Sequence, residues 1–450
     1  MMENRYDKYK DSGIAWIGEI PEHWEIIKIK YILKNNSLKV GPFGSQLSGS
    51  DILSKGKYWI YNQRTVLDNN YSSCNSFISN EKYNDLIGFK VSAGDILLTT
   101  RGTIGKISRI PSIFNEGVIH PCIIRFNINE KILKYEILRY IFNDSDIVTN
   151  QVKYNSNSTT IDVIYSDTLK NIVLAYIPQK EQQSIAAYLD QKCGEIDELI
   201  TLQEEMITKL QSYKQSVITE AVTKGLDKNV PLKDSGIEWI GEIPKHWEAS
   251  KTLFVLSMSI TDGPHTTPEL FETGIPFVSA EAVSFGNGRI DFSHIRGYIS
   301  EIFYQECCKK YIPQIDDIYM IKSGATTGRV AIVDADIKFT IWSPLAVFRC
   351  NKERMLPRFL FYQLQSNGYQ KQIELNWSYG TQQNIGMRTL EKLILSVPPL
   401  PEQYSIADYL DQKCSEIDKL ISIKQQKIEK LKEYKKSLIF ECVTGKRKVS

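Results

Sequence analysis

The stretch KDSGIAWIGEIPEHW, residues 10–24, returns as KDSGIEWIGEIPKHW at residues 233–247, with thirteen of fifteen positions identical and an offset of 223. A second pair follows: SIAAYLDQKCGEID (184–197) and SIADYLDQKCSEID (405–418) agree at 12 of 14 positions, with an offset of 221. Each half therefore reads in one order: tryptophan segment, about 150 variable residues, long helical run. A duplication at this scale must be recognised before any fold is proposed, because it makes the halves variants of one unit. At 450 residues the chain is also too long for one ordinary core.

The helical run carries a seam. From Leu189, steps of four and three reach Cys193, Ile196, Ile200, Gln203, Ile207, Leu210, Lys214, Val217 and Ala221. The second half gives Leu410, Cys414, Ile417, Ile421, Lys424, Ile428, Leu431, Lys435, Leu438 and Cys442, with its polar interruptions at the same two registers. No Pro or Gly interrupts either run after Gly194, so each is expected to be a helix of about 35–40 residues. Two matching seams in one chain are natural partners, and a pseudo-twofold relation makes them antiparallel.

The variable regions read as mixed α/β. GDILLTT (94–100), VIHPCIIRF (118–126) and IDDIYMIK (315–322) look like strands among Gly/Asn/Ser loops, and 133–142 and 356–365 look helical. They share a frame but little surface: VGPFGS (40–45) stands against DGPHTT (262–267), and TTRGTIGKI (99–107) against IKSGATTGRV (321–330). YNSNSTTIDVI (154–164) similarly stands against NWSYGTQQNI (376–385).

Composition narrows the class. The 42% hydrophobic and 24% charged fractions are those of a soluble globular protein, no apolar run reaches membrane-spanning length, and the polar N-terminus lacks a secretory core. Eight cysteines without a CxxC pair, unclustered with the five histidines, point to reduced thiols in a cytoplasmic protein and away from zinc. Net charge is +2, with a mild basic excess of +5 over residues 25–177. That is weaker than the footprint of a solitary DNA binder. There is no phosphate-binding G-x-x-x-x-G-K-[ST] loop and no Asn-Pro-Pro-Tyr-like run. The DQK triplets at 190–192 and 411–413 suggest a nuclease pair only superficially. They lie on the repeated helix without further acidic partners and read as a solvated helix face.

WIGEIPEHW, the Gly-Pro loop, GDILLTTRGTIG and the P…EQ..IA.YLD approach to a long helix, each in order and largely doubled, resemble the DNA-specificity subunit of type I restriction–modification systems. The resemblance spans both halves. It implies an α/β (α+β) multidomain fold: two target-recognition domains with an internal pseudo-twofold repeat, separated by two long antiparallel coiled-coil helices. The corresponding segments are a junction at 1–24, recognition domain 25–180, spacer helix 181–224, a repeated junction 225–247, recognition domain 248–401, spacer helix 402–444 and a tail, 445–450. The implied role is non-catalytic. Double-stranded DNA is read at two sites, and the spacers fix the gap and dock two methyltransferase subunits. Restriction/translocase subunits join, and S-adenosylmethionine, ATP and Mg²⁺ belong to the partners, with no membrane involved. The sequence departs from the family pattern at one loop, GTQQN (380–384) in the second half but STTID (158–162) in the first.

On this reading DNA contact falls to the loops. Arg101, with Thr103 and Lys106 in a Gly-flanked turn, suits phosphate or a guanine edge, and the second half offers Lys322, Thr326 and Arg329. Gln63, Arg64, His265, Asn376, Tyr379 and Gln382 are further polar or aromatic candidates, and Trp16, Trp24, Trp239 and Trp247 are expected to brace the junctions. A coiled-coil scaffold without a DNA role is the competing reading. It would not need unlike loops on matched frames.

Overall fold

Pairing of sequence-distant strands closes each half of the chain on itself. The computed structural model describes residues 5–155, 163–379 and 383–449. The chain divides into two units, residues 1–202 with 426–450 and residues 203–425.

In the first unit, Tyr9–Asp11 and Glu19–Pro21 form an antiparallel hairpin. Strand Glu25–Lys28 then pairs antiparallel with Val173–Tyr176, so the module between them begins and ends at one ladder. Between them lies a four-stranded antiparallel sheet in the order Lys39–Val40, Ile123–Phe126, Ile96–Thr99, Ile107–Arg109. A three-stranded sheet places Tyr58–Tyr61 between Phe77–Ile78 and a parallel partner, Gly117–Ile119. Helices Tyr135–Asn143, Ile147–Asn155 and Ser166–Asn171 follow. The first of these buries Ile137, Leu138, Tyr140, Ile141 and Phe142.

The second unit repeats this plan strand for strand. Leu232–Asp234 pairs with Glu242–Pro244, and Glu248–Lys251 with Ile394–Val397. The four-stranded sheet runs Thr261–Asp262, Leu345–Phe348, Ile318–Ile321, Val330–Ile332. The three-stranded sheet again has a parallel pair, Ile275–Val278 with Thr340–Ile341. The run VIHPCIIRF is not one strand. It breaks at His120–Cys122 into strands of different sheets, because Pro121 has no N–H to offer a ladder.

The long helices are Gln179–Lys224, 46 residues, and Leu400–Val443, 44 residues, longer than the expected 35–40. They begin earlier because their first turns are anchored. Gln182, fully buried, donates from Nε2 to the carbonyls of Ile132 (2.7 Å) and Ile177 (2.8 Å), and its Oε1 accepts from Lys134 N (2.8 Å). Gln403 does the same for Arg354, Pro398 and Leu356.

Within the first unit Asp197 meets Lys435 at 2.7 Å, and Cys193, one turn earlier, neighbours Cys442, two turns later. Within the second, Gln203 meets Lys424 (3.4 Å) and Lys214 meets Asp418 (2.7 Å). One helix advances as the other retreats, so the pairing is antiparallel in each unit. Leu189, Ile196, Leu438 and Cys442 are buried in one unit, and Val217, Ala221, Leu410 and Cys414 in the other. The polar interruptions thereby find partners: the two Lys–Asp pairs are related by the 221-residue repeat.

Each tryptophan segment clasps the start of a long helix. Trp24 Nε1 donates to Glu181 Oε2 (3.3 Å), with His23 Nε2 2.7 Å from Oε1; Trp247 and His246 hold Glu402 at 2.9 and 2.7 Å. A carboxylate in the first turn also suits the positive end of a helix. Trp24 and Trp247 are buried, whereas Trp16 is half-buried against Tyr154 and Trp239 is 39% exposed. The bracing expected of four indoles thus falls chiefly on two. Asp190 and Asp411 are not merely solvated. Each accepts a 2.6 Å hydrogen bond from a phenol, Tyr140 or Tyr362, and an arginine contact, so they fasten the helix of the recognition module to the long helix.

Candidate nucleic-acid interface

In the first unit the strands Ile96–Thr99 and Ile107–Arg109 are joined by a turn whose tip, Arg101–Gly102–Thr103, is exposed. The Arg101 guanidinium has no ion-pair or hydrogen-bond partner among the described residues. Gln63, at the start of the helix Gln63–Leu67, reaches the turn with Nε2 3.5 Å from the Thr103 carbonyl. Arg64, beside it, is exposed but paired with Asp68 (3.1 Å). Lys106 donates to the Asn143 carbonyl at the end of the helix Tyr135–Asn143. The structure therefore brings Gln63, Arg101 and Thr103 together, and gives Arg64 and Lys106 internal partners.

The turn His120–Cys122, which the sequence reading passed over, lies among these segments. His120 N donates to Tyr61 O (3.0 Å), next to the helix carrying Gln63, and Thr100 N donates to Cys122 O (3.1 Å), next to Arg101. The Gly41–Pro42 loop packs on the same turn: a Cβ at Gly41 would fall 2.2 Å from the His120 carbonyl oxygen. That close approach, not φ, requires the glycine. Phe43, at the loop tip, is 79% exposed.

In the second unit the frame recurs. Trp342 N donates to Val278 O (2.9 Å), Lys322 N to Pro344 O (2.8 Å), and a Cβ at Gly263 would lie 2.0 Å from Ile341 O. Its chemistry differs. Asp262, 1% exposed, gathers Lys310 at 2.5 Å, Lys322 at 3.2 Å and His265 at 3.1 Å. Burial raises the Asp262 pKa, but the bonds and charge of Lys310 and Lys322 outweigh it and hold the carboxyl below its ordinary value. Two predicted residues from separate loops, His265 and Lys322, thus converge on one carboxylate. The other turn residues face the helix Ala280–Phe285: Thr326 accepts from Ser284 Oγ (3.2 Å), and exposed Arg329 donates to Ser284 O (3.2 Å). Gly324 N donates to Gln383 O (3.0 Å), drawing in the strand pair Ser378–Tyr379 and Gln383–Asn384. Asn376 is exposed at the end of the helix Asn367–Asn376 and bonds within it to Gln372 O. Gln382 lies outside the described residues.

Asp262 and Lys310 were missed because a buried carboxylate with lysines from distant loops leaves no local pattern. His120 left a trace, the proline after it. Among the described residues no group of three His, Cys, Asp or Glu could hold a metal ion, and no helix is long and apolar enough to cross a membrane.

Two modules thus share one backbone frame and carry unlike side chains on equivalent turns. The family model for the type I restriction modification DNA specificity domain matches residues 21–211 and 264–433. The chain belongs to this family and is a non-catalytic DNA-specificity subunit. It is similar to the putative type I restriction enzyme MjaX specificity subunit of Methanocaldococcus jannaschii, at 27% identity over 446 residues covering 96% of both chains. The type I restriction enzyme EcoBI specificity subunit of Escherichia coli is 22% identical over 330 residues, 71% of this chain and 69% of that one. A chain from a solved type I restriction–modification system shares the fold, with a TM-score of 0.67 at 17% identity over 94% of this chain and 98% of that chain.

Proposed function

We propose that the two units each read one element of a split DNA target, and that two methyltransferase subunits dock on the long helices. The first element is read by Gln63, Arg101 and Thr103; the second by His265, Lys322, Thr326 and Arg329, with Asn376, Tyr379 and Gln382 alongside. Lys106 ties the first turn to Asn143, and Arg64 and Lys106 add positive charge near phosphate. S-adenosylmethionine, ATP and Mg²⁺ serve the modification and restriction/translocase subunits, in the cytoplasm.

The observation that carries this reading is the repeat of one backbone frame with different turn chemistry. A second observation supports the partners. Apolar side chains left exposed on the long helices recur at the repeat interval: Leu199, Leu202 and Tyr213 on one, Leu420, Ile423 and Tyr434 on the other. Two equivalent sets of exposed apolar side chains suit two copies of one partner. Mapping methylated bases in DNA exposed to the chain with its modification subunit tests the proposal. It should return two short elements at one fixed spacing. A complex that methylates without such a motif would refute it.

A further inference from the structure

In each unit a turn joins the parallel-paired strand to the four-stranded sheet, residues 120–122 in the first unit and 342–344 in the second. In both, the backbone is held by the same three approaches: the Gly-Pro loop, the strand leading into the short helix, and the turn bearing Arg101 or Lys322. The frame is repeated, but the side chain at its first position is not. The second unit has Trp342, whose ring packs on Phe277 with centroids 6.0 Å apart and lies 4.5 Å beneath the Arg296 guanidinium. Trp342 is held by these neighbours.

The first unit has His120, half-buried. Its Nδ1 accepts the Cys122 N–H at 3.1 Å, so Nδ1 carries no proton and the neutral ring must carry its proton on Nε2. Burial lowers the His120 pKa, which favours that neutral ring. Nε2 has no hydrogen-bond partner among the described residues, and it is not among the fully buried unpaired atoms, so it keeps some access to solvent. A ring fixed by one nitrogen presents a single N–H donor from the other.

We propose that His120 is a specificity-determining residue of the first recognition face, donating from Nε2 to an acceptor on a base edge while Nδ1 fixes the ring. This rests on the split-target reading above. Major-groove acceptors of the right kind are purine N7, guanine O6 and thymine O4. The position repeats with different chemistry: a histidine with one nitrogen unpaired in the first unit, and in the second a packed tryptophan whose Nε1 is buried.

Two variants separate the nitrogens. In His120→Asn the amide oxygen can keep the inner bond to Cys122 but nothing reaches the Nε2 position. In His120→Gln the terminal amide reaches that position and restores a donor. The full chain, expressed with its modification subunit, is assayed by mapping methylated bases and by thermal melting. His120→Asn should melt close to wild type and lose about tenfold in discrimination at one position of one half-site. The other half-site and the spacing should be unchanged, and His120→Gln should recover much of the preference. If both variants keep the wild-type motif, or if both lose it together with a large fall in melting temperature, the proposal is overturned. If the wild-type complex shows no two-part motif at all, the split-target reading fails first, whatever the variants do.

Discussion

At the residue scale, the clasp on each long helix concentrates stability in few side chains. Trp24 and Trp247 are buried and bonded through Nε1 to the first-turn glutamates, whereas Trp239 is 39% exposed. Truncating a buried indole removes its transfer energy and leaves a cavity, so Trp24→Ala or Trp247→Ala should cost about 3–5 kcal/mol. Trp239→Ala should cost well under half of that. Denaturant melts of the three variants check the ranking, and equal losses would contradict it. Neither buried position lies among the turns proposed to read DNA, so the recognised sequence should not change. The repeated tryptophan segment was legible as a junction. Which of its four tryptophans would be buried was not, because spacing alone does not say which ring meets a helix.

At the element scale, the seam shows what periodicity can and cannot reveal. The apolar steps and the shared polar registers were readable, since a helical face repeats every three or four residues. That Lys214 faces Asp418, and Lys435 faces Asp197, was not, because it depends on which face the other helix offers. The pairs are half-exposed, so each is worth about 1 kcal/mol or less. Lys214→Asp should destabilise, since it sets two carboxylates together, and adding Asp418→Lys should recover at least half of the loss in a double-mutant cycle. A lack of recovery would show that the contact contributes nothing to pairing. The site followed the same rule. Glycine-flanked turns announced Arg101 and Lys322, while His120 was hidden in a run that read as continuous strand, and Asp262 at the end of a two-residue edge strand whose lysine partners lie 48 and 60 residues away.

At the scale of the whole chain, the ends behave like its middle. The first long helix stops at Gly225, φ +76°, where a Cβ would touch the Trp247 ring at 3.1 Å. The second stops at Gly445, φ +74°, where a Cβ would fall 2.3 Å from Pro21 and 3.0 Å from Trp24. Lys446 Nζ then donates to the Ile17 and Glu19 carbonyls at 2.7 and 2.8 Å. In the second unit the chain runs directly from Gly225 to Trp247; in the first, the same contact brings Gly445 to Pro21 and Trp24, distant in sequence. A permuted chain with Ser450 joined to Met1 and opened within 226–231 should therefore fold, with a melting temperature within a few degrees of the parent. Scanning calorimetry would settle it, and an unfolded or aggregated permutant would count against equivalence of the two junctions.

The His–Trp–Glu clasp also bears on ancestry. Both modules enter and leave through the same fixture, so neither has an address of its own. Crossing over between the near-identical segments would deliver a foreign module to a socket already shaped for it. The recognised sequence would then change by exchange of a whole module, while the repeated segments of the long helices keep the residues that already hold either module.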